Sequence, residues 1–294
     1  MVEEHIPILV EEFLSFFREE AIGTFVDGTV GAGGHAKALL AAHPEMVHFY
    51  GIDQDPDALA IAKETLAPFQ EKVTLLQGNF RHLDQFVPKP VDGIFLDLGV
   101  SSIQLDRPEK GFSFSHDGPL DMRMDPSQRL TAAEVVNTFS EKKLSEIFWE
   151  YGEESRSRRA AKAIIEARRK QKIKTTGDLT EALKRTLTWS GRRGKKHHPC
   201  TLVFQALRIY VNDELGAVEE GIDKALALLA PRGRMGVLSF HSLEDRIVKQ
   251  KFRQFAVIEK RGELLTKKPL VAGCEEQRRN RRSRSAKLRF LSKT

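Results

Sequence analysis

The chain has 294 residues, 40% of them hydrophobic, and a formal charge of only +6. That is enough for a large core and about two domains. No apolar run is long enough to span a bilayer as a helix, the opening MVEEHIPILVEEF is acidic rather than a basic signal segment, and Cys200 and Cys274 lack the spacing of a zinc site or a disulfide framework. A cytoplasmic enzyme without a metal is therefore expected.

The elements alternate at first. Apolar runs predict strands over Thr24 to Val30, Val47 to Ile52, Val73 to Leu76 and Val91 to Asp97, separated by helices from about His35 to Ala42, about Pro56 to Leu66 and near Leu83. Such alternation implies a parallel sheet with right-handed crossovers. The pattern breaks for about a hundred residues and then resumes. After the break come a helix ending near Leu229, a turn at Pro231 to Gly233, a strand from Met235 to Phe240 and a helix from about Leu243 to Phe255. Two last strands, near Phe255 to Glu259 and Ala286 to Leu291, are expected to close the sheet as a hairpin-like pair. The fold expected is α/β, a doubly wound sheet over residues 1–107 and 212–294 with an all-helical insertion over 108–211. Within the insertion, Thr131 and Ser140 sit where helix caps belong, and Ser157 to Lys170 has apolar residues at helical spacing.

The first strand runs into Asp27-Gly-Thr-Val-Gly-Ala-Gly-Gly-His35, and Asp53 follows Gly34 by nineteen residues. A strand, a glycine turn and an acid at that distance hold an adenosine-type cofactor, the acid taking the ribose hydroxyls. Gly31-x-Gly33-x-x-Ala36 formally fits a dinucleotide, which would make the chain a nicotinamide-dependent oxidoreductase. Asp27 argues for S-adenosylmethionine instead, because a carboxylate before the glycines suits a cationic methionine end and repels a diphosphate. Asp97 ends the fourth strand at the active edge, where it can orient an amine and take up charge during methyl transfer, or else cap the glycine turn that follows. Phe80 could pack on an adenine, Gln104 could bond a cofactor or base edge, and Ser239 to Asp245 reads as a polar helix cap.

Charge is segregated along the chain. Residues 156–196 carry fifteen Lys and Arg against three acids, and 278–294 carry eight basic residues and no acid. Two such runs beside a cofactor fold point to phosphate neutralisation on a nucleic acid. Arg192 to His198 reads as a mobile basic loop. A non-catalytic RNA-binding or assembly factor is the third class compatible with this charge.

These residues, together with His5-x-Pro7, Asp53-Gln-Asp-Pro56, Asp92-Gly-Ile-Phe-Leu-Asp-Leu-Gly-Val-Ser-Ser102, Gly111-Phe-Ser-Phe114, Leu120-Asp-Met-Arg-Met-Asp125, Tyr151-Gly-Glu-Glu154, Phe204 to Asn212, Ser239-Phe-His-Ser-Leu-Glu-Asp-Arg246 and Arg284-Ser-Ala-Lys287, closely resemble the bacterial 16S rRNA cytosine-N4 methyltransferase family, RsmH, formerly MraW. The likeness spans nearly the whole chain. It implies a class I, Rossmann-like methyltransferase that uses S-adenosylmethionine to methylate the exocyclic amine of a decoding-centre cytosine. By the family pattern Gly33, Gly34, His35, Asp53, Phe80, Asp97 and Gln104 hold the cofactor. The partner implied is 16S rRNA within the small ribosomal subunit, with no membrane and with room for a homodimer. Ala32, Ile103 and Leu202 depart from the pattern, standing where Arg, Pro and Arg are common. The chain also lacks the Pro-Pro-aromatic run that stacks a flipped base in many amino-methyltransferases. Phe112, Phe114 and Phe240 are the candidates for that task.

Overall fold

A computed structural model describes residues 7–18, 21–87, 90–187 and 198–294. The chain divides into two compact units, one of residues 1–99 and 215–294, the other of residues 100–214.

The first unit is built on seven strands: β1 Thr24–Asp27, β2 His48–Asp53, β3 Val73–Gln77, β4 Val91–Asp97, β5 Leu229–Ser239, β6 Gly262–Leu264 and β7 Lys287–Lys293. Their order across the sheet is β3-β2-β1-β4-β5-β7-β6. Pairings from β3 to β5 are parallel, and β7 runs antiparallel to both its neighbours. Both faces are covered, which is why β4 reads as a continuous apolar run. Ile94 and Leu96 enter a core with helices Glu214–Leu228 and Ser242–Arg253, while Phe95 enters another with helices Val10–Ser15 and Gly34–Ala42. The order reverses at β1, whose neighbours are β2 and β4, so the carboxyl ends of these strands flank the crevice that a doubly wound sheet offers a ligand.

Two local expectations are corrected. Phe255 to Glu259 is not a strand. Gln254–Ile258 prolongs the preceding helix as a π turn, with the Glu259 N–H donating to the Gln254 carbonyl, and leaves Val257 and Ile258 exposed. The strand that pairs with β7 lies further on at Gly262, where a side chain would press within about 3 Å of the Ser292 carbonyl. Second, the Pro231 to Gly233 turn does not end before a strand begins. It is absorbed into β5 as an irregularity, so that β4 pairs Val91 with Leu229 and next Gly93 with Arg234.

The second unit is helical, and its main helices are Ala132–Thr138, Glu141–Glu150, Ser157–Lys170, Thr176–Lys184 and Thr201–Asn212. Thr131 and Ser140 accept N–H bonds from Glu134 and Lys143, the caps their positions announced. Val100 and Leu105 pack on the core of this unit, so it begins before residue 108. Its other end includes Glu214, whose carboxylate is gripped by both Nε and Nη2 of Arg208 at 2.8 Å.

Candidate active site

At the end of β1 the buried Asp27 carboxylate accepts the Thr29 N–H at 3.0 Å and so folds the chain into the glycine turn. Gly31, at φ +52°, turns its N–H onto Asp53 Oδ2 at 2.9 Å. Gly33, at φ +84°, is the N-cap of helix Gly34–Ala42 and brings no side chain to that end. The helix therefore opens on backbone N–H groups that no capping side chain covers, the arrangement with which a backbone can approach a cofactor. Asp53 Oδ1 meanwhile accepts the Asp55 N–H at 2.9 Å, which fixes the acid at the end of β2. Asp97 ends β4. Its own N–H donates to Thr29 Oγ1 at 2.6 Å, and that hydroxyl lies 3.4 Å from Asp27 Oδ1.

Three carboxylates thus share the carboxyl edge of adjacent strands. Burial pushes Asp27 up to about 7, against the Thr29 N–H and with help from the Asp53 charge. Burial likewise pushes Asp53 up to about 6, against the N–H bonds from Asp55 and Gly31. Asp97 is held well above the usual carboxylate range by burial, then by Asp27 and Glu244. Among the described residues no Lys or Arg pairs with any of the three. A diphosphate would add anionic charge to this edge. A cofactor carrying an ammonium and a sulfonium brings the missing positive charge, and the residues fit it.

The other expected site residues fall differently. His35 is buried, with Nε2 2.9 Å from the Ile8 carbonyl and Nδ1 3.6 Å from Asp97 Oδ2. The Phe80 ring is also buried, filling the space above Gly221 while its Cβ packs over Gly28, so it is a core side chain and not an open platform for adenine. Gln104 belongs to the second unit, where its Oε1 accepts the Ser101 N–H at 3.1 Å in a reciprocal capping box. Asp97 does not cap the turn after it, for among the described residues its carboxylate accepts no backbone N–H.

Of the three rings expected to meet a base, Phe112 is buried and Phe114 is stacked on His198 at 4.5 Å, both within the second unit. Phe240 stays partly exposed at the end of β5, beside Gly99. The Ser239 to Asp245 run is a cap as read, but it also carries a carboxylate that sequence reasoning passed over. Glu244 is fully buried, accepts the Phe240 N–H at 2.8 Å and lies close enough to raise Asp97. Its signal was the His-x-x-Glu spacing of a capping box at a strand's carboxyl end.

The basic residues sort into two kinds. Arg168 donates to the carbonyls of Val136 and Phe139, Arg156 pairs with Glu154, and Lys287 and Arg289 both grip Asp245. Those are struts. Arg158, Arg159, Arg169 and Lys170 stand exposed on helix Ser157–Lys170 without an ion pair among the described residues. Residues 192–197 of the basic loop lie outside the described residues.

The strand order with its antiparallel β7, the glycine turn after β1 and the acid after β2 define an S-adenosylmethionine-dependent methyltransferase of class I. The profile of the MraW methylase family matches residues 2–294. "Ribosomal RNA small subunit methyltransferase H" of Chlamydia caviae is 49% identical over 99% of this chain and 98% of its own length. The protein of the same name from Carboxydothermus hydrogenoformans is 46% identical, covering 98% of this chain and 97% of itself. The counterpart from Acaryochloris marina is 47% identical over 98% and 94%. The chain belongs to the MraW methylase family, and it is an enzyme.

Proposed function

We propose that this methyltransferase modifies 16S rRNA of the small ribosomal subunit, in the cytoplasm, at the exocyclic N4 amine of a decoding-centre cytosine. The observation that carries the substrate is the near end-to-end likeness to small-subunit rRNA methyltransferases, 49% identical in one case. Among the described residues no helix is long and apolar enough to cross a membrane.

When bound, S-adenosylmethionine supplies a methyl carbon on a cationic sulfur. The N–H groups at Gly34 and His35 would meet its polar end, Gly33 would let it approach by bringing no side chain while its own N–H closes the turn on the Val30 carbonyl, and Asp53 would take the ribose hydroxyls. Phe80 contributes backbone at the end of β3 rather than a stacking ring, and Gln104 completes the set by family pattern. Asp97 orients the amine and receives charge as the nitrogen lone pair attacks in line. Phe240, the ring of the three that shares a unit with Asp97, stacks on the base. The helical unit, residues 100–214 and expected over 108–211, serves rRNA recognition, with Arg158, Arg159, Arg169 and Lys170 on phosphates. A homodimer is the accompanying expectation, read by sedimentation of the purified chain.

The test is transfer of labelled methyl from S-adenosylmethionine to small subunits from cells lacking the protein, followed by nucleoside analysis. N4-methylcytidine formed by the intact enzyme and lost with Asp53→Ala and Asp97→Ala is the expected result. A different methylated nucleoside overturns the assignment of the amine. RNA binding without transfer, unaffected by Asp97→Ala, would instead describe an assembly factor.

A further inference from the structure

A pocket of about 200 Å³ opens on the sheet unit, where helix Ser242–Arg253 and its π turn pack beside β6 and β7. It is lined by three cations, Lys249, Arg253 and Lys267, and by apolar Phe252, Val257 and Leu264, and no Asp or Glu lines it. That volume falls below the roughly 300–1,000 Å³ that encloses a whole small ligand, so the pocket suits one piece of a larger molecule.

The three cations are not spent on their neighbours. Lys249 follows Asp245 by four residues, the spacing at which a helix pairs opposite charges. Asp245 is already taken, with one oxygen on Lys287 at 2.9 Å and the other on Arg289 at 2.8 Å. Arg253 follows Lys249 at the same spacing, where like charges repel. Both are exposed, as is Lys267, and none of the three makes an ion pair among the described residues. Arg289 also lines the pocket, but its charge is met by Asp245. The apolar lining is open too. The π turn leaves Val257 59% exposed, and turns of this kind are frequent at functional sites.

We propose that this pocket seats one unpaired nucleotide of the rRNA, with Lys249, Arg253 and Lys267 on its flanking phosphates and its base against Val257 and Leu264. An acidic peptide would satisfy the cations, but Asp and Glu carry their carboxylates on one or two methylenes and would leave the apolar lining uncovered. A nucleotide brings an anion and a flat ring together, and unpaired nucleotides can be splayed out for such contacts. The pocket is also placed to meet the RNA that is being methylated. Val237 of β5 pairs with Leu96, next to Asp97, on one side and with Arg289 on the other. Two strand spacings, about 10 Å, therefore separate the β4 backbone beside Asp97 from the β7 backbone at the pocket. The sheet unit thus grips the substrate at a point of its own. The inference rests on the rRNA reading and is independent of which base is methylated.

The experiment binds full-length enzyme to small subunits from cells lacking the protein, across a salt series. Lys249→Gln, Arg253→Gln and Lys267→Gln in one chain should flatten the slope of log binding constant against log salt by about 1.4–1.8, the value for the two phosphates that flank one nucleotide. The KM for subunits should rise about tenfold or more, with S-adenosylmethionine affinity held within about twofold. Val257→Glu removes no cation but sets a carboxylate in the apolar lining, so it should weaken binding about tenfold, whereas Val257→Leu should not. A photoreactive phenylalanine analogue in place of Val257 should crosslink to rRNA. An unchanged slope, full binding by Val257→Glu, or crosslinking to a ribosomal protein, to a second copy of the chain or to nothing overturns the proposal. Failure of the rRNA reading looks different, because then the parent itself neither binds nor methylates small subunits.

Discussion

Gly31 and Asp53 are joined between the ends of the neighbouring strands β1 and β2: the Gly31 N–H donates to Asp53 Oδ2 at 2.9 Å. The acid assigned to the ribose is therefore also the strut that holds the glycine turn of β1 against the end of β2. Removing it has two effects of different kinds. Asp53→Ala should lower S-adenosylmethionine affinity at least tenfold and cost about 1–3 kcal/mol of stability through the orphaned N–H groups of Gly31 and Asp55. Asp53→Asn keeps an acceptor for one of them and should recover part of the stability but little of the affinity. Calorimetric titration and denaturant unfolding on both variants check this, and full affinity in Asp53→Ala would remove Asp53 from the cofactor site.

The buried acid at the end of β1 gives a pH signature. Folded Asp27 keeps its proton up to about pH 7, whereas in the unfolded chain it ionises near 4. The folded state thus binds the extra proton between those values. Asp27's contribution to stability is whole below about pH 4 and is lost as pH rises through about 7. Asp27→Asn cannot ionise and escapes this loss. The stability of Asp27→Asn relative to the parent, both free of cofactor, should climb between pH 4 and 8 by at most about 4 kcal/mol and then level off. Saturating S-adenosylmethionine should shrink the climb, since a cation nearby favours the ionised form. A difference in stability that is flat with pH would show that Asp27 titrates like an exposed acid.

In the helical unit, Asn212 ties a loop to the helix that ends with it. Its Oδ1 accepts the Met124 N–H at 2.8 Å, and its Nδ2 donates to the carbonyls of Met122 at 2.8 Å and Arg208 at 2.9 Å. Met122 sits at φ +64°, a conformation that a side chain resists unless neighbours impose it. Asn212→Ala leaves buried backbone groups unpaired and should cost about 2–4 kcal/mol, with early proteolytic cleavage near Met122 to Met124. Asn212→Asp keeps the acceptor but replaces the donor with charge, and should fare no better. Unfolding curves and limited proteolysis decide it, and a loss below about 0.5 kcal/mol would mean that the loop is held elsewhere.

How much of this was legible in the sequence depended on whether the signal was local. The β4 run Val91 to Asp97 and the helix Ser157 to Lys170 matched to the residue because each is bounded by strong local signals, the burial pattern in one and apolar spacing in the other. The Phe255 to Glu259 segment misled because its apolar residues satisfy the composition of a strand while Phe255 alone among the apolar residues there is fully buried. Asp27, Asp53 and Asp97 could be named from the motif, since each ends a strand. Their mutual effect could not, because it depends on three strands that are adjacent in the sheet but far apart in sequence. The effect of Glu244 on Asp97 was hidden for the same reason. The charge count was correct as arithmetic yet overstated the phosphate-binding set, since nothing in the sequence says that Arg289 grips Asp245 at 2.8 Å.

That division of the basic residues makes the last prediction. Exposed Arg158, Arg159, Arg169 and Lys170 are the phosphate-binding cations proposed for the helical unit, while Arg168, one residue before Arg169, is spent on the carbonyls of Val136 and Phe139. Neutralising one cation that sits on a phosphate should reduce the slope of log binding constant against log salt by roughly 0.7–0.9. Replacing the four exposed residues with Gln should therefore flatten the slope for rRNA by up to about 3.6, weaken binding at low salt, and leave S-adenosylmethionine affinity and thermal stability unchanged. Arg168→Gln should do the reverse, lowering stability by about 1–3 kcal/mol while the slope holds. Filter binding across a salt series, run beside thermal unfolding, separates the two. If the fourfold variant keeps the parent slope, rRNA is held by other cations, and exposed Arg278, Arg281 and Arg284 near the C-terminus are the next set to replace.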